Sequence, residues 1–361
     1  MAKSRVAVLK TAPVSVIADY GRLMRLARYQ EFLPRDVETA LKINISWQHF
    51  FPACSTTPWQ LEGVIATLLE DGYSKDKLYG CHNRTVVVDA RRGEIANKHK
   101  QVLEKYGLRN IHLYEETEEW LHYEPRAKML VLDKIYPEGI RIPKRLIGSN
   151  IIHLPTMKTH VFTQMTGAMK NAFGGLLFDK RHWTHGVIHE TLVDLLAIQK
   201  EIHPGIFAVM DGTFAGGGPG PRCMVPHVKN FILASGDMVA IDAVAAKMMG
   251  FDPLSIKFIR LAHERGLGCG DVREIEIVGE DITAVNFHFA AHEDTLASKG
   301  QKMIYWGPLK PLEHLLLRTP LAPLSYIASR LYHDVYWYNF VGRARIRQAL
   351  RTEWGKLFTA Y

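Results

Sequence analysis

The sequence predicts an α/β protein, a mostly parallel sheet flanked by helices, with an amphipathic helical tail at the C-terminal end. Three observations predict it. Short apolar runs alternate along the chain with amphipathic stretches of about ten to fifteen residues, the order that builds parallel sheets covered on both faces. Of the 361 residues, 47% are apolar and 23% charged, the balance of a chain with a sizeable core rather than a disordered one. The last 54 residues, from Pro308, differ in kind: they hold eight Lys or Arg against three Asp or Glu and so supply five of the eight net positive charges.

The elements follow in order. Arg5–Leu9 reads as a strand and Ile17–Phe32 as an amphipathic helix, followed by a strand at Ala40–Ile45. Pro58 suits a helical first turn, and Leu61, Val64, Ile65, Leu68 and Leu69 then recur at helical spacing up to Gly72. Strands are expected near Leu78 and at Ile111–Tyr114, with a helix over Glu94–Tyr106 between them. Met129–Asp133 and Ile151–Leu154 are short apolar runs of the kind that form buried strands. The alternation resumes with strands at Ile206–Met210 and Phe231–Ala234, a helix over Asp237–Met249 closed by Gly250, and a last strand at Glu274–Val278. The α/β body is therefore read as residues 1–307, divisible into lobes of about 1–150 and 151–307, and the tail as 308–361.

Polar chemistry concentrates between Pro155 and Gly220. The stretch from Lys158 and His160 through Thr163, Thr166, Gly167, Lys170 and Asn171 to Gly174 follows an expected strand, where an open α/β sheet presents its ligand site. Read as one helix, Thr163–Gly174 places hydroxyls, glycines and Lys170 on one face and Met165, Ala168, Met169, Ala172 and Phe173 on the other. Hydroxyls, ammonium groups and free helix N–H groups favour a carboxylate or phosphate. His182, His185 and His189 recur at three- and four-residue spacing, which suits a divalent metal, a hydrogen-bonding role or plain packing. Asp211 then closes a strand and leads into a glycine-rich loop containing Gly216 and Gly217, with Asp211 as a polar ligand or general base. Asp237 is placed to cap the next helix, and Asp242 inside it must face solvent, a partner or a site. Lys42 and Asn44 point the same way from their strand and, with Thr56 and Thr57, make a second anion-binding corner.

Taken together these motifs resemble the domain-of-unknown-function family DUF362. The likeness rests on Lys42 and Asn44, Thr56–Pro58, Pro155–His160, Thr166–Asn171, Val209–Gly212 and Ser235–Asp242, and it spans about residues 38–280. It implies a fold and a shared site more than a reaction. Many members carry a ferredoxin-like module with two four-cysteine runs. Here Cys54, Cys81, Cys223 and Cys269 are scattered, so no iron–sulfur cluster is expected within the chain, and clusters would have to come from a ferredoxin-like partner.

Two functions remain open at this level. One is an enzyme acting on a small anionic substrate, with Lys158 and Lys170 holding the anion, His160 or His185 as acid or base and Asp211 as base or metal ligand. The other is a cofactor- or metal-binding assembly protein docked through its tail. Basic and aromatic residues in that tail suit a membrane surface, a second subunit or packing on its own domain. Nucleic-acid binding is not expected, because the excess charge belongs to an aromatic tail with no recognised module. The N-terminal stretch has no long apolar run, so a cytoplasmic location, peripheral to a membrane at most, is expected.

Overall fold

The computed structural model describes residues 3–177, 179–290, 293–319 and 327–361; Leu321 and Leu324 of the apolar tail lie outside them. In chain order the strands are β1 (Arg5–Lys10), β2 (Thr39–Ile43), β3 (Leu78–His82), β4 (Arg109–His112), β5 (Trp120–Tyr123), β6 (Ile140–Pro143), β7 (Asn150–Leu154), β8 (Thr156–His160), β9 (Gln164–Met165), β10 (Ile206–Gly217), β11 (Val225–Ser235) and β12 (Glu276–Gly279). Ten of them form one sheet in the order β12-β1-β11-β10-β7-β2-β3-β4, with β8 on β10 and β9 on β8, while β5 and β6 pair separately. The pairs β1·β12, β10·β7, β10·β8, β2·β7, β2·β3 and β3·β4 are parallel, and β1·β11, β10·β11 and β8·β9 antiparallel. Strands from both sides of residue 150 share this sheet.

Helices cover both faces. They are α1 (Val16–Leu26), α2 (Pro58–Glu70), α3 (Ala90–Ala96), α4 (His99–Tyr106), α5 (Leu132–Ile135), α6 (Ala168–Asn171), α7 (Phe173–Leu176), α8 (Ile188–Ile202), α9 (Met238–Met249), α10 (Lys257–Glu264) and α11 (Leu296–Tyr305). Neighbouring residues of one strand go to opposite cores: Val6 and Val8 of β1 join the cluster of α8 and α9, whereas Ala7 and Leu9 join that of α1 and α2. That period-two split is why the central strands read as continuous apolar runs. Thr57 caps α2 through a reciprocal pair with Gln60, and Asp237 caps α9 by accepting from the N–H groups of Val239 and Ala240.

The tail packs on the body through its final helices. Trp354 lies 5.1 Å from Trp59 and donates to Asn230, Phe358 stacks on Phe50 at 3.8 Å, and Asp334 accepts from Trp47 and Gln48. Among the described residues no helix is long and apolar enough to cross a membrane.

Several elements differ from the sequence expectation, each for a local reason. Met129–Asp133 is not a strand: the N–H groups of Leu130, Val131 and Leu132 are taken by the Asp194 carboxylate, at 2.7, 2.9 and 3.1 Å, and α5 follows. The helix expected over Glu94–Tyr106 breaks into α3 and α4 where Lys98 adopts φ 66°. The first helix stops at Leu26, before Arg28 at φ 53°. Thr163–Gly174 is not one helix either; it is β9 followed by the two short helices α6 and α7, so its polar face does not form as a stripe. Gly216 and Gly217 end β10 rather than belonging to a loop.

Candidate functional site

The strands β2, β3, β7, β8 and β10 run in one direction, so their carboxyl ends gather at one edge of the sheet. A cavity of about 620 Å3 lies there, bounded by residues from the ends of β2, β3 and β8, the turn before α6, the His182–His185 segment, the Pro219–Cys223 turn, α11 and the tail around Tyr332. Among the described residues its wall holds Lys42, Arg84, Lys170, Arg181 and Arg222 but no Asp or Glu. The remainder of the wall is largely aliphatic and aromatic, including Ile43, Val86, Phe162, Phe173, Ile304 and Tyr305.

The backbone that presents Lys170 is set by Asp242. Its carboxylate accepts from the N–H groups of Ala168 and Met169 at 2.6 and 3.0 Å, and burial pushes it up to about 8. Gly167 makes this approach possible, since it sits at φ +96° and a Cβ there would fall 2.3 Å from Asp242 Oδ1. Asp242 thus faces neither solvent nor the cavity but the turn that carries the site. Asn171 donates to the Lys42 carbonyl at 2.9 Å and so ties the same turn to β2.

The cations fall into two kinds. Lys42 donates to the Ile43 carbonyl at 2.6 Å. Lys170 has no hydrogen-bonding or ionic partner among the described residues; its ammonium lies 4.8 Å above the Phe173 ring. Arg222 Nη1 is shielded from solvent and is likewise without a partner. Burial pulls Lys42 down to about 8, and burial with the neighbouring charges of Arg181 and Lys158 pulls Lys170 down to about 7. Burial also lowers the Arg222 guanidinium. The wall of this concave, partly apolar cavity thus carries positive charge with no carboxylate in it among the described residues.

Three histidines of the wall, His160, His185 and His333, are held neutral. Burial brings His185 and His333 to about 3, and burial with Lys170 takes His160 well below its ordinary value. Their tautomers follow from their partners. His160 Nδ1 accepts from the Phe162 N–H at 3.1 Å, which leaves its proton on Nε2. His185 Nδ1 donates to the His182 carbonyl at 3.0 Å, which leaves a lone pair on Nε2. The His185 ring stacks on Tyr305 at 5.8 Å and meets Phe162 and Phe173 edge-on.

Of the residues singled out in the sequence, Lys42, Asn44, His160, Thr166, Gly167, Lys170, Asn171, His182 and His185 line the cavity, and Lys158, Thr56, Thr57, Thr163, His189, Asp211, Gly216 and Gly217 do not. Lys158 is 1% exposed and donates to Cys54, Thr156 and Ser46. Thr56 bridges the Asn44 N–H and the Leu154 carbonyl, and Thr163 donates to the Met165 carbonyl. Asp211 accepts from Tyr20, Thr57 and Trp59 on one oxygen and from the Thr213 hydroxyl and N–H on the other. Gly216 packs under Met224, whose sulfur would lie 2.4 Å from an added Cβ.

His182, His185 and His189 do not share a helical face. The first two lie in the tight helical segment Asp179–Val187 and His189 in α8, where its ring stacks on Phe258. Among the described residues the set of three ligand atoms close enough to share an ion is instead His82, Glu94 and His112. Sequence reasoning missed these and also Arg84, Arg181 and Arg222. Spacings of 12 and 18 residues carry no periodic signal, and an isolated arginine reads as surface.

Comparison with known proteins adds the following. A family model described as a domain of unknown function, DUF362, matches residues 39–247. A thylakoid-associated protein of the cyanobacterium Synechocystis is 29% identical over 136 residues, a stretch that makes up 36% of this chain and 41% of that protein. No solved structure matches.

Proposed function

The chain belongs to the DUF362 family, and from that premise we propose that its cavity binds an organic anion, a carboxylate or phosphate carried on an apolar or aromatic body. One observation carries the reading: Lys170 and the Arg222 Nη1 atom face a cavity whose wall, among the described residues, holds no carboxylate, and neither has a hydrogen-bond partner there. Both side chains are half-buried, and a partly desolvated cation without a partner is costly, so a molecule that supplies the missing charge gains by binding. Lys170 and Arg222 hold the anion, with Lys42 beside them, while Phe162, Phe173 and Tyr305 cover the apolar part. If the ligand is a substrate, His160 offers a proton from Nε2 and His185 a lone pair, a complementary pair for proton transfer. If it is a cofactor held for delivery, the same contacts serve retention alone.

Calorimetric titration with phenyl phosphate tests this. Wild type is expected to bind it more tightly than it binds inorganic phosphate, and Lys170→Met or Arg222→Met to lose at least about tenfold in affinity, the loss expected when one charge-assisted hydrogen bond disappears. Equal binding by wild type and both variants, or none by any of them, overturns the proposal.

A membrane-facing role for the tail has its own support. Leu315, Ile327, Leu331, Val335 and Phe340 are exposed, the last by 75%, and Arg330, Arg343, Arg347 and Arg351 are exposed along the same part of the chain. Apolar side chains beside arginines suit an anionic lipid interface, and the relative is named for a membrane association. Sedimentation with phosphatidylglycerol-containing vesicles should deplete wild type from solution and leave a Leu331→Ser, Phe340→Ser double variant behind. Equal partitioning of the two would remove this role.

A further inference from the structure

At the edge of the sheet away from β1, parallel pairing of β3 with β4 sets His82 directly beside His112. Glu94 of α3 reaches both: its Oε2 lies 2.7 Å from His82 Nε2 and 3.0 Å from His112 Nε2. His82 is 1% and Glu94 5% exposed, and the three ligand atoms lie within 4.8 Å of one another. None of the three lines the cavity, so this cluster is separate from the anion site.

Hydrogen bonding alone leaves the cluster mismatched. His112 has a carboxylate at each nitrogen, Glu115 Oε1 at 3.1 Å from Nδ1 and Glu94 Oε2 at 3.0 Å from Nε2, whereas a neutral imidazole carries one proton. Glu94 Oε2 is crowded by a third contact from Asn110 Nδ2 at 2.7 Å. Meanwhile Asn110 Oδ1 and His82 Nδ1, both shielded from solvent, have no partner. A cation where the two Nε2 atoms and the Glu94 carboxylate converge relieves the crowding at Glu94 and the double demand on His112. Glu115 then takes the Nδ1 proton of His112 and fixes the tautomer whose lone pair points inward, the usual outer support of a metal-bound histidine.

We propose that His82, Glu94 and His112 bind a divalent transition-metal ion with the preferences of zinc. Two imidazole nitrogens and one carboxylate form a donor set suited to such an ion, with a fourth position open to water or to the Asn110 side-chain oxygen after an amide flip. Tetrahedral ligands at about 2.0–2.1 Å from zinc stand roughly 3.3 Å apart, so the Glu94 carboxylate oxygen draws back from the two imidazole nitrogens by a few tenths of an ångström, and the nitrogens, within 4.8 Å of each other, settle to that spacing. The ion ties α3 to β3 and β4, immediately before Asn83 and the 83–88 segment that walls the anion cavity.

The test uses the full chain, stripped with chelator and titrated with Co2+. One equivalent is expected to bind with the visible absorption of a tetrahedral site and to be displaced by Zn2+. His82→Ala and His112→Gln should abolish that spectrum, Glu115→Gln should weaken binding by about ten- to a hundredfold, and His189→Ala should leave it unchanged. Because His82 is buried and its variant could fail to fold, His112→Gln, at a half-buried position, is checked for a native circular dichroism spectrum and decides the matter. A wild type that gives no such spectrum, or one retained in folded His112→Gln, overturns the proposal and leaves the cluster as a hydrogen-bonded network alone.

Discussion

Two charged side chains, Asp211 fully buried and Lys170 half-buried, show how differently this protein treats its polar interior. Asp211, in the middle of β10, is fully buried and accepts five hydrogen bonds from Tyr20, Thr57, Trp59 and Thr213. Lys170, in the short helix α6 that follows β8 and β9, is held without any hydrogen-bonding partner among the described residues. Both are the residue types a sequence reader picks as catalytic. A buried charge whose hydrogen bonds are all made within the chain is a structural joint, and one left without a partner beside a cavity is open to a group from outside the chain.

The largest expected effect is at the joint. Asp211→Ala strands the donors of α1, α2 and β10 at once and should cost about 3–5 kcal/mol in urea denaturation, given about 1–3 kcal/mol for each buried donor left unpaired and partial relaxation around them. A loss below about 1 kcal/mol would erase the distinction. Next comes the hinge between the two regions. Gly167→Ala forces an alanine to φ +96° and drives its Cβ into Asp242, an expected loss of about 2–4 kcal/mol. It should also lower phenyl phosphate affinity, because Asp242 holds the turn that presents Lys170.

How far this division could be read from sequence differs between scaffold and site. The strands β1, β2, β3, β7 and β10 were legible because both their faces are buried, so each appears as an apolar run whatever its neighbours, whereas β8, carrying Lys158 and His160, was not read as a strand. Met129–Asp133 has the same composition, yet Asp194, more than 60 residues away, captures its N–H groups, and no local pattern records that. Gly216 and Gly217 misled for a related reason: their missing side chains are used for close packing under Met224 and beside Phe289, not for mobility. Within the site, Lys42, His160, Lys170 and Asn171 were legible because they lie at or after the ends of strands that gather at one edge. Lys158 lies two residues before His160, near enough for the motif to include both, but Cys54, Thr156 and Ser46 satisfy it away from the cavity. Arg222 had no local signal at all, since its position depends on the β10–β11 hairpin folding back over β8.

Lys170→Met should behave opposite to Asp211→Ala. Removing an unpaired, half-buried cation leaves the fold as stable or slightly more so, by up to about 1 kcal/mol at neutral pH, while anion affinity falls. A clear destabilisation would mean that Lys170 has a structural partner after all.

The smallest effect is a slope, and it separates an open charge from a closed one without a ligand. Burial brings Lys170 from the ordinary lysine value down to about 7, so between about pH 7 and 10 the unfolded chain binds more protons at this position than the folded one. Unfolding free energy therefore rises with pH across that window at this site, and the burial penalty, fully present below pH 7, fades toward pH 10. Lys42 and Lys158, each near 8, contribute in the same direction, and tyrosines raised by burial oppose them above pH 10, so the informative quantity is the difference between wild type and Lys170→Met. Any stability advantage of the variant should narrow from pH 7 to pH 10 in denaturation curves taken at matched ionic strength. Saturating phenyl phosphate should abolish the narrowing, because a bound anion returns Lys170 toward its ordinary value and draws a proton onto it. A difference that stays constant with pH would place the Lys170 ammonium in water rather than in the cavity wall.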